Sequence, residues 1–175
     1  MRLPLLAIAT LFAFALFRSA TVDARPMWLP EVENPYCDIA TFVAPNVPEQ
    51  AVSLAGDDGK GMIVVSARTL SQSPEYGHFL MAHECCHHTL GHVRMFNQEL
   101  GQMGPQPFFY IKPALRSMEL DADCCAVKML KATHEPMSIV AGEAVMSKFG
   151  DRPTGAYYPT GTERAANISA CEARD

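Results

Sequence analysis

The sequence predicts a mainly helical α+β domain with a small, short-stranded sheet. Three observations lead there. Segments 73–92, 113–131 and 137–149 are of helix length, begin at or beside proline or serine, and two of them close at glycine. One β-branched run, Met62-Ile63-Val64-Val65-Ser66, follows a dense turn signal. The stretch from Arg25 to about Pro48 is proline-rich and has no sustained period. At 175 residues the chain suits one domain with a real core, and a 49% hydrophobic content excludes a disordered chain.

Taken in order, the first residues read as an export signal. Arg2 gives a positive start, and Leu3 to Phe17 is an apolar run shorter than the roughly 20 residues a bilayer-spanning helix needs. Val22-Asp23-Ala24 offers compact side chains at the cleavage positions, so residues 1–24 are expected to be removed after Ala24. The remaining 25–175 form a single domain, with 25–60 as an arm and turn, in a periplasmic or secreted protein with no later transmembrane segment. A short helix is expected around Pro48 to Leu54, then a turn over Gly56 to Gly61, then the strand. The first long helix starts at Ser73 or Glu75 and stops near His92, where Gly91 marks its end. Glycines and prolines make the later part of Phe96 to Phe109 a loop. Pro113 opens the second long helix, whose apolar face includes Leu115, Met118 and Ala122. Gly150 closes the third, and Glu163 to Ala173 is a short closing helix. A net charge of −5 leaves no basic surplus to neutralise phosphates, which argues against nucleic-acid binding.

The chemistry concentrates in His83-Glu84-Cys85-Cys86-His87. Residues four apart share one helix face, so His83 and His87 can grip one tetrahedral cation. Glu84 is rotated by roughly 100° from His83, beside the metal and not on it, where it can accept a proton from a water the cation acidifies. A catalytic zinc needs a third protein ligand and an open fourth position. Glu119 is the candidate, because Glu119 and Asp123 also share a face, and one carboxylate can bind the ion while the other accepts the free N–H of a liganding imidazole. One zinc per chain is therefore expected on His83, His87 and Glu119, with Asp123 and His92 in support. His92 is five residues past His87, the wrong interval for the metzincin third histidine, and His88 points to another face as a packing or surface residue.

These residues, with Glu119-Leu120-Asp121-Ala122-Asp123, resemble the gluzincin family of the CaaX prenyl endopeptidases. That family includes bacterial heat-shock membrane proteases and periplasmic quality-control peptidases. The resemblance runs from about Gly61 to Ala170 and takes in a glycine-led strand before the active helix and a histidine at the place of His92. It implies a zincin-like metallopeptidase core, a zinc-dependent hydrolase acting on polypeptides, with Glu84 catalytic. Tyr158-Pro159, followed by Arg164, has the form of the family's His-Pro pair and later arginine, residues thought to assist the substrate carbonyl. Tyrosine stands at the histidine position, and a phenol can also donate to an oxyanion. The family's membrane-embedded members have several spanning helices, and adjacent cysteines are not part of its pattern.

A polypeptide substrate is expected to add as a strand to an edge near Met62 to Ser66. The alternative is a non-catalytic metal-binding envelope or secreted protein that acts through a protein partner. Cys37, Cys85, Cys86, Cys124, Cys125 and Cys171 suggest disulfides in an exported chain. Helices that jointly hold one ion must approach closely, so one bridge is expected between Cys85/Cys86 and Cys124/Cys125, through Cys86, with Cys37 and Cys171 tying the arm to the last helix. Asn167-Ile168-Ser169 fits a glycosylation acceptor.

Overall fold

The structure is a computed structural model, and it describes residues 29–56, 60–102 and 111–174. The expected export segment, Asp57 to Gly59 of the turn, and residues 103–110 of the expected loop lie outside those residues. Among the described residues the fold is α+β, with six α-helices and a mixed four-stranded sheet. The strands are β1 (Glu31–Val32), β2 (Ala40–Ala44), β3 (Ala51–Ala55) and β4 (Gly61–Ser66), lying side by side in the order β1-β2-β4-β3. The helices are α1 (Ala67–Gln72), α2 (Pro74–Thr89), α3 (His92–Gln102), α4 (Lys112–Ala132), α5 (Pro136–Phe149) and α6 (Gly161–Glu172).

Helix α2 is the axis of the domain. From Tyr76 to Cys86 it is buried all round, His78 excepted, because α4 and α5 cover one side and the sheet the other. Phe79, Ile63, Val65, Val127, Leu130, Ile139 and Ile168 are fully buried around it and join sheet, α4, α5 and α6 into one core. Pro74, Pro113 and Pro136 each stand in the first turn of a helix, where the missing N–H costs nothing. At the other end of α2, Gly91 adopts φ +76° and turns the chain into α3, a helix over 92–102 that was not assigned from the sequence. Helix α6 starts earlier than expected: Thr160 accepts from the Glu163 amide while the Glu163 carboxylate takes the Thr160 N–H, a reciprocal cap. No helix among the described residues is long and apolar enough to cross a membrane.

The sheet corrects three expectations. The proline-rich arm supplies two strands, β1 and β2, and β2 runs parallel to β4 from Ala40↔Met62 to Ala44↔Ser66. The expected helix at Pro48 to Leu54 is a 3-10 turn over Pro48–Gln50 that gives way to β3, which pairs antiparallel with β4. Met62 to Ser66 is therefore an interior strand with its backbone paired on both sides, and the edge facing the helices is β3. Asn167 donates its amide to the Leu120 carbonyl at 2.8 Å, inside the α4–α6 contact, a poor place for a glycan.

All six cysteines pair at disulfide distance: Cys37–Cys85, Cys86–Cys125 and Cys124–Cys171, with Cα separations of 5.8, 5.9 and 5.4 Å. The staple between α2 and α4 runs through Cys86, as expected. The Cys37–Cys171 tie does not form. Cys37 lies before β2 and is drawn to α2, whereas Cys171 lies on α6 and is drawn to α4.

Candidate metal centre

Helix α2 presents His83, Glu84 and His87 to a cleft of about 410 Å³, and α4 presents Glu119 to the same place. The two imidazoles converge through their Nε2 atoms, 3.0 Å apart. Glu119 closes a triangle with them: Oε1 is 3.4 Å from His87 Nε2 and Oε2 is 3.5 Å from His83 Nε2. These three residues form a group that can hold a metal ion.

Each imidazole is oriented from behind. His83 Nδ1 meets Asp123 Oδ1 at 2.9 Å, so the Nδ1 hydrogen goes to the carboxylate and Nε2 is the atom turned to the triangle. His87 Nδ1 meets His92 Nδ1 at 3.2 Å, which sets the same tautomer on His87 when His92 is the acceptor. Burial first, then the neighbouring His87, holds His92 below its ordinary pKa and so keeps it neutral. His88 is turned away, packed against Gly61, where any Cβ would strike its ring.

Arg164 enters from α6 and ties the two acids together. Its Nε and Nη2 form a fork on Asp123 at 2.9 and 2.6 Å, and Nη1 reaches Glu119 Oε2 at 3.2 Å. Burial alone would raise the Glu119 carboxyl; hydrogen bonds with His83 and His87, with the charges of His83 and Arg164, hold it well below its ordinary value. Asp123 is likewise held low, against burial, by the charge and hydrogen bonds of Arg164 and by His83. His83, which burial would lower, is pushed up to about 10 by Asp123 and Glu119. The two ionised carboxylates are thus balanced by the guanidinium and by a proton on His83, and a metal cation that displaces that proton would take over its place against them.

Loss of Arg164 is therefore expected to be costly. Arg164→Met would strand Asp123 and Glu119 as buried charges and lower stability by about 3–5 kcal/mol, read from urea unfolding of the metal-free protein. Arg164→Lys is expected to recover only part of this, because an ammonium cannot reproduce the fork.

Tyr158 lines the cleft beside Glu49, which lies in the 3-10 turn that precedes β3. Burial, and then the charges of Glu119, Glu49 and Glu84, raise its pKa further, so it stays a neutral donor. Sequence reasoning missed two residues here. Glu49, held at φ +58°, brings another carboxylate to the rim. Ser53 contacts Glu84 with its Oγ, 2.6 Å from Oε2 and 3.0 Å from the backbone carbonyl. Neither belongs to a motif with fixed spacing; both arrive through the turn into β3. Compared with protein-family models, characterised proteins and solved structures, the chain has no match.

Proposed function

We propose that this chain is an exported zinc metalloendopeptidase with Glu84 as its general base. One observation carries the reading: the donor triangle of His83, His87 and Glu119, with edges of 3.0, 3.4 and 3.5 Å. Three corners of a tetrahedron with bonds of about 2.0–2.2 Å lie roughly 3.3–3.6 Å apart; the two edges to Glu119 fall in that range, and the two imidazoles stand somewhat closer at 3.0 Å. Two neutral imidazoles and one carboxylate are a donor set suited to that ion, and three protein ligands leave one position for chemistry.

Zinc bound there would supply Lewis acidity, polarising a peptide carbonyl and acidifying a water. The chain's own residues account for the rest. Glu84 lines the cleft without joining the triangle, and so is placed to take the water's proton and pass it to the leaving amine. Tyr158, a neutral phenol lining the same cleft, can donate to the oxygen that gains charge. Arg164 is committed to Asp123 and Glu119 and acts by holding the ligands. The substrate strand would pair with β3, whose residues Ala51 to Leu54 line the cleft, and not with β4. The order of motifs is similar to that of the gluzincins, and the paired cysteines suit an oxidising compartment outside the cytoplasm.

The test is metal analysis beside an assay on an unfolded protein such as casein. One zinc per chain is expected, with X-ray absorption showing nitrogen and oxygen near 2.0–2.2 Å and no sulfur. Sulfur scattering would overturn the ligand set. Stoichiometric zinc without turnover would favour a metal-binding protein that acts through a partner.

A further inference from the structure

A glutamate beside a metal is useful only if its carboxylate is held still. Glu84 has three side-chain torsions, and its position on α2 brings the group near the cleft without fixing where the oxygens lie. What grips it comes from β3. Ser53 Oγ is 2.6 Å from Glu84 Oε2, within the range of a charge-assisted O–H···O⁻ bond, and 3.0 Å from the Glu84 carbonyl. The hydroxyl's single hydrogen favours the nearer, charged acceptor, so Oε2 is anchored and Oε1 is the oxygen left to exchange a proton. Glu84 is 7% exposed, and in such a site a misdirected carboxylate has little water to compensate it.

Ser53 is also the middle residue of the edge strand, paired with Ile63 on its inner side. Its neighbours Val52 and Leu54 line the same cleft. Side chains alternate along a strand, so β3 can offer backbone groups along its outer edge while the Ser53 side chain turns to α2. One residue thus links the surface where a peptide would dock to the group that would act on it. We infer that Ser53 is the positioning residue for Glu84, coupling the edge strand to the base. The inference rests on the peptidase reading above for its catalytic meaning, and on the 2.6 Å contact for its structural one.

The experiment compares Ser53→Ala and Ser53→Thr with the wild-type chain. In the zinc-loaded protein, Ser53→Ala is expected to lower kcat on a casein-type substrate by about 10- to 100-fold, with KM within about twofold and zinc content unchanged. Ser53→Thr, which keeps the hydroxyl, is expected to restore most of the loss. An unchanged kcat, or a change confined to KM, would overturn the proposal, the latter because Ser53 would then serve strand docking alone. Crystal structures give a readout independent of turnover: the Glu84 carboxylate is expected to leave its place by about 1 Å or more in Ser53→Ala and to stay in Ser53→Thr. A carboxylate that does not move in Ser53→Ala refutes the positioning role. A wild type without peptidase activity refutes the peptidase reading and leaves the crystallographic comparison to decide the rest.

Discussion

Glu84→Gln is expected to lower peptide hydrolysis by about 10²–10⁴-fold while one zinc per chain stays bound. The two effects separate because Glu84 is not a corner of the donor triangle, although it shares the cleft with it. Glutamine nearly matches the side chain in size and can still meet Ser53, so the local packing survives; its amide cannot accept the proton. Glu119→Gln is the contrasting case. It removes the charged donor that faces both imidazoles and leaves Arg164 with one carboxylate in place of two, so zinc and activity are expected to fall together. Metal content by mass spectrometry, beside kcat/KM on an unfolded protein, reads both. A Glu84→Gln chain that loses zinc would make Glu84 a ligand, and one that keeps wild-type turnover would end the proposed mechanism.

The parts of the centre that could be read from the sequence are those in which spacing is geometry. His83 and His87 four apart on a helix, and Glu119 and Asp123 four apart on another, already specify two faces that can oppose each other. The structure brings those faces together and puts Asp123 behind His83. What spacing cannot encode is the approach of a distant segment. Glu49, Ser53 and the Tyr158 contact depend on where β3 runs, and β3 was hidden because Ala51-Val52-Ser53-Leu54-Ala55 is short, follows a proline and has a strand partner only in β4. Strand β2 was hidden for another reason. It pairs parallel with β4 across a connection that includes β3, and nothing local in Ala40 to Ala44 announces that register.

The cysteines show the same limit. Adjacent helix residues diverge by roughly 100°, which suggested one bridge between the two vicinal pairs. Divergence also lets the remaining cysteine of each pair face a third element. Cys85 faces the arm through Cys37, and Cys124 faces α6 through Cys171. The bridges consequently run in series, from arm to α2 to α4 to α6, which are the elements that bear the metal-site residues from His83 to Arg164.

Full reduction is therefore expected to unfold the protein and release its metal. The three loops span 48, 39 and 47 residues and follow one another along the chain with almost no overlap. In the chain-entropy model each closure constrains the unfolded state by about 4 kcal/mol, and loops in tandem contribute nearly independently, so together they supply roughly 12 kcal/mol. A typical domain has about 5–15 kcal/mol of net stability, so little would remain after reduction. Metal binding would offset part of the loss, because an ion bound to the folded state alone stabilises it by mass action. Opening a single bridge, as in the double variant Cys124→Ser and Cys171→Ser, is expected to cost about 4 kcal/mol and leave a folded, metal-binding chain with a lower melting temperature. The measurements are thermal unfolding and zinc content of the oxidised, singly opened and fully reduced protein, with peptide mapping under non-reducing conditions to confirm each pairing. A fully reduced chain that melts within a few degrees of the oxidised one, zinc retained, would show that α2, α4 and α6 hold the metal site together by packing alone.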